Sequence, residues 1–182
     1  LPNHHQGSFD DPRTNLIHED ARAYLEKTSD TYDAIILDLV DPLEGGTAAL
    51  LYTEEFYAIA KARLNPGGVL VTQSGPAGLL SFTECFTTIV NTLSGLFEHT
   101  KAAQVHIPAF ETLWGFTIAS DTPFPDTSEA DLETAIASRL SKPLKYYDGV
   151  SHRNMFALPR FQREGIESET RINRDSDPVF MI

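Results

Sequence analysis

The apolar run Ala34-Ile35-Ile36-Leu37 stops abruptly at Asp38-Leu39-Val40-Asp41-Pro42. A short run without polar alternation, rich in β-branched residues, has the character of a strand buried on both faces, as in a parallel sheet. The carboxyl end of such a strand is where open α/β sheets bind ligands. Two carboxylates at spacing i, i+3, backed by a helix-breaking proline, suit a cationic ligand or a proton acceptor. The same residues also suit a plain acidic turn, because Asp and Pro are ordinary turn formers.

The rest of the chain alternates strand and helix patterns. Thr14 to His18 reads as a short strand, followed by a helix from Ala21 to about Lys27. After the strand at 34–37, Thr53 is an N-cap with Glu54 and Glu55 in the first turn, where the helix dipole favours negative charge. Phe56, Ile59, Ala60 and Leu64 repeat at helical spacing, and Asn65-Pro66-Gly67-Gly68 stops that helix. Val69 to Thr72 is another buried strand. Ser81 and Glu84 form a capping box for a helix bearing Phe82, Phe86, Ile89, Val90, Leu93 and Leu96. Residues 101–107 and 113–119 read as paired strands around Pro108 to Thr112, and Ser128 with Asp131 opens a helix through Leu140. The tail from Pro143 mixes aromatic, basic and turn residues.

The order β-α-β-α-β-α-β-β-α implies one α/β domain over residues 1–182, with a mainly parallel sheet and an antiparallel hairpin at one edge. This fits the class I methyltransferase-like variant of the Rossmann architecture. No Gly-rich strand-to-helix turn of the nucleotide-binding kind is present.

Charge narrows the function. The formal net charge is -12, and the stretch from Thr28 to Ala60 has seven acids and no Lys or Arg. A phosphate backbone is repelled by such a surface, which argues against nucleic acid, whereas a small cation is concentrated by it. Acidity that merely maintains solubility is the plain alternative. No apolar run approaches the ~20 residues of a membrane-spanning helix. Cys85 is the only cysteine. It favours a reducing, cytoplasmic setting and reads as a buried structural thiol. The six histidines show no metal-ligand spacing beyond the adjacent His4 and His5. Lys145 and Arg153 read as partners for acids.

Several motifs in order resemble the polyamine aminopropyltransferases, the spermidine/spermine synthase family. They are Asp38-x-x-Asp41-Pro42, Leu51-Tyr52-Thr53-Glu54-Glu55-Phe56-Tyr57, Asn65-Pro66-Gly67-Gly68-Val69-Leu70-Val71-Thr72-Gln73, and Leu144-Lys145-Tyr146-Tyr147-Asp148 with His152-Arg153. The likeness runs from about Asp11 to Pro159. Leu39-Val40 between the aspartates, and His106-Ile107-Pro108-Ala109-Phe110 through Trp114-Gly115-Phe116, look most like the thermospermine synthase branch. Ordinary spermidine synthases usually have small polar residues between the aspartates and tyrosine at the position of Phe110.

The resemblance implies aminopropyl transfer from decarboxylated S-adenosylmethionine, as co-substrate, to a polyamine, with methylthioadenosine released and no metal or other cofactor. Asp38 matches the proton acceptor and contacts the donor. Asp20 with Ala21 matches the adenine-binding position, Asp41 a polyamine-binding carboxylate, and Gln73 and Phe110 substrate-pocket positions. Phe110 and Trp114 suit packing on methylene segments; core packing is the alternative for each. Gly45 stands where many relatives carry a proline against the nucleoside.

In relatives an oligomerising β-domain, the Gly-rich turn and a ribose-binding acid come first. The expectation is therefore a C-terminal catalytic portion of a homo-oligomeric enzyme, or a truncated gene model, inactive by itself. Two absent strands are expected between 14–18 and 34–37. The competing readings are a class I S-adenosylmethionine-dependent methyltransferase, which has no call for the paired acids, and a non-catalytic polyamine-binding module.

Overall fold

In the computed structural model, which describes residues 2–181, the acidic loop hangs from the edge strand of a four-stranded sheet. The strands are β1 (Tyr32–Leu37), β2 (Leu64–Pro76), β3 (His99–Ile107) and β4 (Thr112–Ser120), in the order β1-β2-β4-β3. β1 runs parallel to β2, while β4 lies antiparallel to both β2 and β3. The expected hairpin is therefore present. The helices are α1 (Pro2–His5), α2 (Ala21–Lys27), α3 (Glu54–Lys61), α4 (Phe86–Leu96), α5 (Glu129–Arg139), α6 (Gly149–Phe156) and α7 (Arg160–Ser168).

Register separates the two sheet faces. Ile35 pairs with Leu70 and Leu37 with Thr72, so these side chains share one face. Ala119 opposite Leu70 belongs to the same face. α3 and α4 cover it with Phe56, Tyr57, Ala60, Ile89 and Leu93, all buried. Each large apolar side chain buried there contributes roughly 1.5–3 kcal/mol. Ile36, Val71, Gln73 and Phe116 share the other face, and there Ile36 is 72% exposed. Gly115 lets α4 approach closely: a Cβ there would lie 2.3 Å from the Phe86 ring.

Thr53 caps α3, its side chain accepting from Phe56 N–H, and Ser128 caps α5 in the same way from Asp131 N–H. Both caps agree with the sequence reading. Four local expectations do not hold. Thr14 to His18 is not a strand: it has no ladder partner among the described residues, and Leu16 and Ile17 are exposed. A groove of about 390 Å³ lined by Asn15, Ile17, Tyr32 and Ala34 lies beside the unpaired edge of β1. The parallel part of the sheet is accordingly the β1–β2 pair. Leu64 belongs to β2, opposite Tyr32, and Asn65 to Gly68 form a bulge in that strand rather than a helix stop. The bulge turns through Gly67 at φ 80°, a conformation natural to glycine.

Ser81 and Glu84 do not cap α4, which starts at Phe86. Phe82 turns toward α7 instead, with its ring edge-on to Phe161 at 5.1 Å. The tail holds two helices. Asp148 caps α6 through a capping box with Ser151. Beyond α7 the chain runs back across α4, where Glu169 accepts from Thr87 and Thr88 and Asn91 donates to the Arg171 carbonyl.

Candidate functional site

Asp38 follows the last residue of β1, and Asp41 lies in the loop that turns away behind it. Both line a cavity of about 670 Å³, floored by Val71, Gln73 and Phe116 and walled by Trp114 and Phe110. Five of the residues singled out from the sequence thus come together: Asp38, Asp41, Gln73, Phe110 and Trp114. Asp38 is exposed at the mouth; Asp41 is half-buried.

Gln73 is the hinge of the arrangement and is 4% exposed. Its Oε1 accepts from Trp114 Nε1 at 2.8 Å and from the Gly75 amide at 3.0 Å. Two donors on the oxygen leave Nε2 facing the acidic loop. There it donates to Asp41 Oδ1 and the Leu39 carbonyl, both at 3.2 Å, and to Tyr52 Oη at 2.5 Å. One carboxylate oxygen of Asp41 is therefore held by the Gln73 amide.

Phe110 closes a short helical turn, and Glu111 reverses the chain at φ 53°. The Phe110 ring sits 4.5 Å from the Trp114 ring, tilted by 46°. Phe110 is 54% exposed, Trp114 only 7%. An alkyl chain laid along this pair would be flanked by aromatic faces, with carboxylates a few methylenes away.

Asp20 and Ala21 lie outside this cavity. Asp20 caps α2, with Oδ1 accepting from the Ala23 amide at 2.7 Å, and Ala21 opens that helix. Gly45 sits at φ 73°, which a proline with its φ near −65° does not reach, so the loop here departs from a prolyl one. Arg153 pairs with Glu129, as expected of it. Cys85 is buried, and burial pushes its thiol up to about 12, in keeping with a structural role. Among the described residues, no three His, Cys, Asp or Glu side chains gather as a metal site, and no helix is long and apolar enough to cross a membrane.

Sequence reasoning gave no role to Tyr52, whose phenol is buried beneath the loop and donates to the Val40 carbonyl at 3.1 Å. It also missed Ile36 and Phe116 as pocket-lining residues. The signal for those was register, since both fall in step with Gln73 and Val71.

The sheet and pocket define a methyltransferase-like α/β protein with an acidic, aromatic-walled site at the end of its parallel strand pair. The comparisons agree. Residues 1–129 match the spermine/spermidine synthase domain. The polyamine aminopropyltransferase of Sulfolobus acidocaldarius is 40% identical over 177 residues, covering 96% of this chain and 58% of the relative. That of Sulfurisphaera tokodaii is 36% identical over 176 residues, covering 96% and 57%. Crystal structures align as well. A spermidine synthase in complex with the transition-state analogue AdoDATO gives a TM-score of 0.78 at 27% identity, covering 93% of this chain and 56% of that one. Spermidine synthase from Thermotoga maritima gives 0.75 at 26% identity, covering 93% and 55%. The chain belongs to the spermine/spermidine synthase family. It spans about 58% of the length of the S. acidocaldarius relative.

Proposed function

We propose that this chain carries the acceptor side of an aminopropyltransferase site. In this reading the protein transfers the aminopropyl group of decarboxylated S-adenosylmethionine to spermidine, giving thermospermine or spermine. The observation that carries it is the joint opening of Asp38 and Asp41 into one pocket with Gln73 and the Phe110–Trp114 pair.

The chemistry asks for little more. An alkylammonium has a pKa near ~10, so at neutral pH the acceptor nitrogen arrives protonated and cannot attack. A carboxylate within hydrogen-bond reach takes that proton as the nitrogen lone pair closes on the propyl carbon. The C–N bond forms while the C–S bond breaks, and the sulfonium leaves as neutral methylthioadenosine. Asp38, at the mouth, is assigned the proton and a contact to the donor. Asp41 and the Phe110–Trp114 wall hold the rest of the amine. Asp20, with one oxygen given to the α2 cap, keeps the other for the adenine amino group, with Ala21 beside it. The donor supplies its own leaving group, so orientation of two cations is the protein's main task, and no metal or further cofactor is assigned a part. Acidic walls offset the repulsion between those cations.

The test is incubation of the full-length protein with decarboxylated S-adenosylmethionine and spermidine, with chromatographic identification of the tetraamine. Methylthioadenosine formed in step with thermospermine or spermine is the expected result. Methyl transfer from S-adenosylmethionine, or spermidine binding without product, contradicts the reading.

A further inference from the structure

We infer that Tyr52 is a positioning residue for the acidic loop, and that the chain's C-terminal strap holds it there. This rests on the function proposed above, which assigns Asp38 and Asp41 to the amine.

Tyr52 lies just before α3, and no part of it is exposed. Its hydroxyl accepts from Gln73 Nε2 at 2.5 Å and donates to the Val40 carbonyl at 3.1 Å, with the Leu39 carbonyl at 3.3 Å. Leu39 and Val40 are the residues between the two carboxylates. One buried hydroxyl therefore ties the loop's backbone to the amide that also binds Asp41. The phenol is suited to this because its ring is rigid and its single O–H serves as donor and acceptor at once. In a dry site such a chain of bonds strengthens itself, and any member left unpaired is costly.

Tyr52 is itself held from behind. Asn173 is 1% exposed and donates from Nδ2 to the Tyr52 carbonyl at 3.1 Å. Its remaining groups are also engaged. Its amide donates to Thr92 Oγ1 at 3.0 Å, its Oδ1 accepts from the Val179 amide at 2.9 Å, and its carbonyl accepts from the Glu54 amide at 2.7 Å. Further along, the Met181 amide donates to the Pro42 carbonyl at 3.0 Å, directly after Asp41. The strap thus meets the loop at two places, through Tyr52 and at Pro42, while α4 anchors it at Thr92.

The experiment compares wild type with Tyr52→Phe in the full-length protein. Phenylalanine keeps the buried ring and removes only the hydroxyl. The expected result is a rise of about tenfold in the KM for the amine, with kcat and the donor KM within about twofold, as the hydroxyl's bonds to Gln73 and Val40 are lost while Gln73 keeps its bonds to Leu39 and Asp41. Amide hydrogen exchange over residues 39–43 should quicken in the same variant, a readout that needs no turnover. Asn173→Ala leaves the phenol in place, and should quicken the same amides to a lesser degree should Tyr52→Phe not fold. Unchanged exchange in both variants overturns the positioning role. Faster exchange with an unchanged amine KM overturns its link to the reaction. A wild-type protein without transfer activity overturns the proposed function, and the exchange result then still decides whether the hydroxyl holds the loop.

Discussion

The indole N–H of Trp114 donates to Gln73 Oε1 at 2.8 Å, and this bond helps decide which way the buried amide faces. With the oxygen taken up by Trp114 and Gly75, the amino end must point at Asp41. Trp114 therefore acts on the pocket twice, as an apolar wall and as the donor that aligns a second residue.

Trp114→Phe separates these two contributions. It keeps most of the apolar wall and removes the donor. The predicted loss of stability is about 1 kcal/mol, from one buried hydrogen bond. Steady-state kinetics should show a higher KM for the amine, because the Gln73 amide no longer has a fixed orientation. An unchanged KM would mean that Gly75 alone suffices to hold it.

Gly115→Ala tests the close approach of α4 to the sheet face opposite the pocket. The added methyl meets the Phe86 ring at 2.3 Å, and Phe86 is fully buried. Overpacking of this kind costs about 1–3 kcal/mol. A denaturant melt should show a lower midpoint with an unchanged slope.

Glu169 gives a pH signature. Burial acts to raise its pKa, but bonds from Arg171 and Thr87 outweigh it and hold the carboxyl at about 2, against an ordinary 4.5. A group with its folded pKa depressed stabilises the fold above its unfolded pKa. That stabilisation is lost as pH falls from about 4.5 through about 2. Glu169→Gln should therefore lower stability at neutral pH by about 1–2 kcal/mol, after allowance for solvent screening of Arg171. The gap between the two proteins should close toward pH 2, measured by urea titrations across that range.

Much of the framework was legible because its signals are local. β1 and β2 are apolar runs, the β3–β4 hairpin brackets a proline-containing turn, and the Thr53 and Ser128 caps follow from residue type. Asp38 and Asp41 were also legible, as paired carboxylates at a strand end, and Gln73, Phe110 and Trp114 through family motifs, though their meeting in one pocket is a matter of register. What stayed hidden depends on partners distant in sequence. Thr14 to His18 has strand-like composition, but a strand exists only where a neighbour pairs with it. Ser81 and Glu84 have the spacing of a capping box, yet Phe82 packs against a helix some eighty residues later. That helix and α6 are short and polar overall, so neither stood out from the mixed composition of the tail. Tyr52 gains its importance from Asn173, across the fold.

The central claim is that Asp38 receives the proton of the attacking amine. Single-turnover measurement of Asp38→Asn against wild type, with saturating decarboxylated S-adenosylmethionine and spermidine, tests it most directly. Asparagine keeps the shape and cannot take the proton. The account predicts that the transfer step slows by roughly 10²–10⁴-fold, the usual worth of a positioned general base. A transfer rate equal to that of wild type would contradict it.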